Sequence, residues 1–230
     1  LPSVKNGGKI VYLDDGSYIV SWAKGVIEEK GITKLRNKMM ETVCKFRGIS
    51  HNNIFTMFAK DIQMPDYNIK ENHLTQLQMS EDTISNDIYF IGTNPLGEGG
   101  YCPFMEIDFS YYLSVLENLL SKLQRCNPHS RIIYIPHGRD VSEETKDICE
   151  RLNITYMKIP TCVELFVLSL GCCPKEIWGF GSTALYTLRR LCGRTRIYNV
   201  IIKGANSNAF EQYREIAAIY SHNNMENVWM

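Results

Sequence analysis

From residue 87 onward, short apolar runs alternate with longer stretches of helical period, and few folds admit that alternation. "DIYFIG" (87–92), "RIIYIP" (131–136), "ITYMKIP" (154–160), "EIWGF" (176–180) and "IYNVII" (197–202) read as buried strands. Helical stretches lie between them at about 108–125, 142–152, 161–170 and 182–192, and another follows at about 208–222. Strands of this length separated by helices form parallel βαβ units, so the expected fold class is α/β. Such a sheet is covered on both faces and presents ligands at the carboxyl ends of its strands.

The front of the chain is less regular. "KIVYL" (9–13) reads as a strand ending in the tight loop "DDGS". A helix is expected over 18–30, with Ile19, Val20, Ala23, Val26 and Ile27 at 3–4 spacing and Gly31 as its stop. A second helix is expected at 33–46 and a strand within 52–58. Residues 61–86 are polar and contain Pro65, and they read as a loop-rich linker. The expected organisation is a partial N-terminal lobe at 1–80 and a Rossmann-like lobe at 85–205. A C-terminal helix at 206–230 would pack back onto the first lobe.

Bulk properties exclude some function classes. Formal net charge is zero, so no global field draws nucleic acid or an anionic membrane. No apolar stretch approaches the roughly 20 residues of a spanning helix. The eight cysteines show no CxxC pair and no zinc spacing, and they read as reduced, mostly buried thiols of a cytosolic protein. No signal peptide and no initiator Met is present, which reads as a trimmed or processed form.

The loops after the expected strand ends carry the chemistry. In "GFGSTALY", Gly179 and Gly181 allow close backbone approach, and Ser182 and Thr183 stand at a helix start. Unpaired N–H groups and the dipole there attract an anion, although Ser at that place is also an ordinary N-cap. Glu164 lies in the first turn of a helix after Pro160, where a carboxylate suits ribose hydroxyls or simply the helix dipole. Asp14 and Asp15 follow a strand directly and point to opposite sides, so at most one serves as a base while the other holds the loop. In "YIPHGRD", His137 follows Pro136 and precedes Gly138, whose lack of a Cβ permits an unusual backbone angle, and Arg139. "GTNPLGEGG" places Gly92, Thr93 and Asn94 after the first strand of the regular series.

The ordered set "YLDDGS", "IGTNPL", "YIPHGRD", "IPTCVEL" and "GFGSTAL" resembles the motifs of the bacterial sialyltransferases of GT-B type. That group includes the lipooligosaccharide sialyltransferases and capsular polysialyltransferases. The resemblance spans roughly residues 9–190 and implies two Rossmann-like lobes with parallel sheets. The N-terminal lobe reads as incomplete, because only one strand precedes the acidic motif. Either an upstream half was trimmed or the chain is a shortened relative. Gly138 stands where the family carries a proline, so the "HP" motif reads "HG".

By this resemblance, Asp14 is the general base for the acceptor hydroxyl, with Asp15 as its support. His137 donates to the phosphate of the departing CMP, in a loop that includes Pro136 and Gly138. Glu164 holds the ribose, and Ser182 and Thr183, after Gly181, bind the phosphate. Gly92, Thr93 and Asn94 line the nucleotide or donor-sugar pocket. The implied reaction transfers sialic acid from CMP-sialic acid to a glycan acceptor, inverts the anomeric centre and uses no metal or cofactor. The implied setting is the cytoplasmic face of a bacterial inner membrane, with peripheral membrane association and a homodimer left open and no nucleic-acid partner. Two alternatives stay open: a GT-B enzyme using UDP or GDP sugars, and a non-catalytic nucleotide- or glycan-binding relative.

Overall fold

A computed structural model describes residues 7–13, 18–23, 32–74, 77, 79, 84–94, 101–102, 107–202 and 207–230. The chain divides into two compact units, Leu1–His73 and Leu74–Met230.

The first unit holds a small parallel sheet in the order β1-β2-β3, from β1 (Tyr12–Leu13), β2 (Asn53–Thr56) and β3 (Asn68–Glu71). Helices α1 (Tyr18–Ala23) and α2 (Ile32–Phe46) lie between β1 and β2 in sequence. Of the strand expected at 9–13, only Tyr12–Leu13 pairs continuously, with an isolated bridge from Lys9 to Ser50. The helix expected over 18–30 is described as far as Ala23, and its remainder lies outside the described residues. β3 arises inside the stretch read as a linker. Its side chains alternate between exposed and half-buried, so backbone pairing with β2 defines it rather than an apolar run.

The second unit follows the regular pattern. β4 (Ile88–Ile91) leads to a two-stranded antiparallel pair, β5 (Tyr101–Cys102) and β6 (Ile107–Asp108), which the sequence did not signal. Then come α3 (Phe109–Cys126), β7 (Ile132–Ile135), α4 (Glu143–Arg151), β8 (Thr155–Tyr156) and α5 (Val163–Leu170). β9 (Glu176–Gly179), α6 (Thr183–Leu191), β10 (Arg196–Ile201), α7 (Ser207–His222) and β11 (Glu226–Trp229) complete it. All six strands of the main sheet are parallel, in the order β11-β10-β9-β4-β7-β8. Read in chain order this is 3-2-1-4-5-6, the arrangement of doubly wound dinucleotide-binding folds. The strand order reverses between β4 and β9, and in such sheets the crevice outside the carboxyl ends at that point is where ligands bind.

The core lies on both faces of this sheet. Ile88, Phe90, Ile132 and Tyr134 pack in one cluster with Tyr112, Val115, Leu116, Leu119, Leu120 and Leu123 of α3. Those α3 positions recur at 3–4 spacing, the buried stripe of an amphipathic helix. Asp108 starts α3 by accepting the N–H groups of Ser110 and Tyr111, and the Ser110 hydroxyl together with these bonds holds its carboxyl below the ordinary range. Tyr89 projects from the opposite face of β4 and meets Phe166 of α5 at 6.3 Å between ring centroids. The last helix, expected to pack on the first lobe, contributes Ala217 to the core of the second unit. β11 joins that unit's sheet beside β10.

Gly92 closes β4 where Tyr134 leaves no room for a side chain. A Cβ at Gly92 would overlap the Tyr134 hydroxyl and lie 2.8 Å from its Cζ. The Tyr134 ring is fully buried and stacked between Phe90 and Tyr156, at 5.6 and 5.8 Å, so it cannot swing aside. Gly92→Ala is expected to lower stability by about 1–3 kcal/mol, the usual size of an overpacking defect. Urea unfolding measures it, and adding Tyr134→Phe, which removes the hydroxyl but leaves the ring Cζ 2.8 Å from the new Cβ, should recover only part of the loss.

Candidate functional site at the carboxyl edge of the six-stranded sheet

Four adjacent strands, β8, β7, β4 and β9, each feed one of the candidate loops. β4 runs into Gly92–Asn94, β7 into Pro136–Asp140, β8 into the start of α5 with Glu164, and β9 into Gly181–Thr183. The register holds the strand ends level, with Ile91 opposite both Ile135 and Gly179. Adjacent strands stand about 4.8 Å apart, so the loops after β7 and β9 begin about 10 Å from each other on either side of β4. The fold thus brings Thr93, Asn94, His137, Glu164, Ser182 and Thr183 to one edge of one sheet. Asp14 and Asp15 lie outside the described residues.

At the end of β4, Thr93 is buried. The Asn94 side-chain oxygen is also buried and finds no hydrogen-bond partner among the described residues. An orphaned acceptor at such a position is costly unless a ligand or water donates to it.

The loop after β7 is a tight, hydrogen-bonded turn. Asp140 N–H donates to the His137 carbonyl at 2.8 Å, and the Arg139 N–H donates to His137 Nδ1 at 3.2 Å. Asp140 is 1% exposed and accepts the Ser142 N–H at 2.9 Å, while Ser142 caps α4 by accepting from Thr145 N–H. Burial raises the Asp140 carboxyl above the ordinary range. His137 itself is exposed. Partial desolvation of the ring lowers its pKa, the Arg139 guanidinium lowers it further, and Asp140 opposes both. The neutral imidazole accepts at Nδ1, so its proton sits on Nε2 and is available as a donor. Gly138 does not adopt a left-handed φ, and a Cβ there would meet nothing within 4 Å. The glycine therefore supplies no special backbone angle, contrary to the sequence expectation.

Glu164 is the acidic residue of the first turn of α5, half-buried, at a helix start whose N-cap Cys162 offers no side-chain hydrogen bond. The carboxylate complements the helix dipole and carries none of the described hydrogen bonds.

The turn after β9 is the most constrained. Gly179 sits where a Cβ would press on the Ile91 carbonyl at 3.1 Å and on Leu185 at 3.3 Å. Gly181 has φ +57°, a left-handed value that favours glycine. Its N–H donates to the buried Asn199 side-chain oxygen at 2.9 Å and so points into the protein. Ser182 is the N-cap of α6, accepting the Ala184 N–H at 3.3 Å, and its carbonyl accepts from the Tyr220 hydroxyl at 2.9 Å. The ordinary capping role is thus present at Ser182, at a helix end whose dipole still favours an anion. Asn199 and Tyr220 were not singled out from the sequence. The signal for Asn199 was an amide inside the apolar run "IYNVII"; Tyr220 had none, since a tyrosine on an apolar helix face reads as core.

These features define a doubly wound α/β lobe with its loops gathered at the switch point of the sheet, and the likeness reported below gives the fold as GT-B type. A scan of family models finds no match to the chain, and a search of curated proteins finds none either. Among solved structures, the fold is similar to the α/β-galactoside α-2,3-sialyltransferase of the luminous marine bacterium Photobacterium phosphoreum. The TM-score is 0.54 at 12% identity, over 95% of this chain and 70% of that one. MurG of Acinetobacter baumannii aligns at a TM-score of 0.45 and 10% identity, over 96% of this chain and about half, 53%, of MurG, a likeness too slight to build on.

Two outcomes test this geometry. In a proton NMR titration, His137 should titrate below the ordinary imidazole pKa of about 6.5. Arg139→Ala, which removes a positive neighbour, should raise that pKa, and Asp140→Asn, which removes a negative one, should lower it. Gly138→Ala should leave the melting temperature unchanged, because the space is open and the backbone ordinary.

Proposed function

We propose that the protein is a glycosyltransferase that moves sialic acid from CMP-sialic acid to a glycan hydroxyl, with inversion and without a metal in the catalytic step. The observation that supports it best is the delivery of four motif-bearing loops to neighbouring strand ends at the switch point of a 3-2-1-4-5-6 sheet. The fold-level likeness to a bacterial sialyltransferase agrees with the motif order.

In this reading the CMP phosphate lies against the start of α6, near the Ser182 and Thr183 hydroxyls and the positive end of the helix dipole. His137 Nε2–H donates to the same phosphate, and that bond strengthens as the glycosidic C–O bond breaks and charge collects on the leaving oxygen. Glu164 accepts from the ribose hydroxyls. Thr93 and Asn94 face the nucleotide or donor sugar, and the orphaned Asn94 oxygen takes a donor from it. The acceptor oxygen attacks the anomeric carbon from the opposite side, CMP departs, and the acceptor proton passes to Asp14, with Asp15 as support. The roles of Asp14 and Asp15 rest on the motif alone. The proposed partners are the CMP-sialic acid donor and a glycan acceptor, at the cytoplasmic face of a bacterial membrane. Among the described residues, no helix is long and apolar enough to cross a membrane.

Thermal melting with CMP, UDP and GDP, followed by acceptor-dependent release of CMP from CMP-sialic acid, tests the reading. CMP should stabilise the protein most. His137→Ala and Asp14→Ala should each reduce turnover by about 10²–10⁴-fold, the usual worth of a positioned proton donor or acceptor. Stabilisation by UDP or GDP but not by CMP favours a different sugar-nucleotide enzyme. Full turnover in both variants contradicts the assignment.

A further inference from the structure

We propose that Asn199 and Tyr220 are positioning residues for the Gly181–Ser182 turn, so that β10 and the C-terminal α7 set how well the site holds the phosphate of its nucleotide. The inference rests on the nucleotide reading above and extends it to residues outside the motifs.

Two peptide groups of the turn, one on either side of the Gly181–Ser182 peptide, are gripped from inside. Asn199 is fully buried on β10, and its oxygen takes the Gly181 N–H at 2.9 Å. Its amide nitrogen donates to the Asn227 side-chain oxygen on β11, also at 2.9 Å. Asn227 in turn donates to the Ala217 carbonyl at 2.9 Å and to Ser221 Oγ at 2.7 Å, both on α7. The amide of Asn199 therefore cannot turn over without breaking a chain of bonds, and an amide so fixed holds Gly181 in its left-handed conformation. Tyr220, likewise fully buried, donates to the Ser182 carbonyl at 2.9 Å. A peptide group is planar and trans, so its carbonyl and N–H point in opposite directions. The same carbonyl accepts the Leu185 N–H at 3.0 Å, and holding it inward by both bonds directs the Thr183 N–H out of the N-terminal end of α6. That is the orientation in which a helix start receives an anion.

The grip acts on the phosphate end of the ligand alone, which separates it from a general contribution to folding. The test compares CMP with cytidine, which lacks the phosphate, by isothermal titration of Tyr220→Phe and the unaltered protein, with melting temperatures recorded for each. Tyr186→Phe is the control: this tyrosine is also buried, on α6, but its hydroxyl meets Asn223 and Arg190 rather than the turn. In Tyr220→Phe, CMP affinity should fall on the order of fivefold, the size of one hydrogen bond, while cytidine affinity stays within about twofold. Tyr186→Phe should leave the ratio of the two affinities unchanged. An equal loss for both ligands, or no loss for CMP, in a folded Tyr220→Phe protein overturns the positioning role and leaves the nucleotide reading standing. If the unaltered protein binds neither ligand, the nucleotide reading falls and this inference falls with it.

Discussion

β4 and β9 lie side by side, and the rest of the second unit is organised around that pairing. They are far apart in sequence and belong to successive halves of a doubly wound sheet. Gly179 suits their close contact, because a Cβ there would press on the Ile91 carbonyl at 3.1 Å and on Leu185 of α6 at 3.3 Å. The other four strands also pair in parallel, so every βα loop of the sheet emerges at the same edge. The helices that follow β4 and β9, α3 and α6, then leave toward opposite faces of the sheet, which opens a crevice at that edge.

Charge is sorted along the strands in the same sense. At the amino ends, Arg131 forms a two-pronged pair with Asp87, and Arg196 pairs with Glu176, which also accepts from the Trp178 indole. These pairs tie neighbouring strands together at the edge remote from the candidate site. At the carboxyl ends the polar groups are instead only partly satisfied. Asn94 keeps an orphaned oxygen, Glu164 carries none of the described hydrogen bonds, and His137 turns an Nε2–H outward. The sheet's leftover hydrogen-bonding groups are therefore, among the described residues, at the carboxyl end, where the proposed ligand would meet them.

Much of this was legible in the sequence, for a physical reason. β4, β7 and most of β9 are buried on both faces, so they read as continuous apolar runs. The strands that escaped notice are of another kind. β3 and β11 lie at sheet edges with half-exposed side chains, and β5 and β6 are two residues each, so pairing rather than composition defines them. The motif loops were legible because glycine, histidine and hydroxyl residues follow directly on strand ends. Their supports were not. Asn199, Tyr220 and Asp140 act through partners distant in sequence or through burial, and neither property has a local pattern. Gly92 illustrates the same limit: its place after a strand end was legible, but the Tyr134 hydroxyl that leaves no room for a side chain there comes from a residue distant in sequence.

The central claim is that one cytidine nucleotide meets the loops after β4, β7, β8 and β9 together. The most direct measurement is an amide chemical-shift map of the isotope-labelled protein during titration with CMP. The account expects saturable shifts at Thr93, Asn94, His137, Glu164, Ser182 and Thr183, with the amino-end pairs Arg131–Asp87 and Arg196–Glu176 silent. Saturable shifts confined to other surfaces, with these loops unmoved, would contradict it.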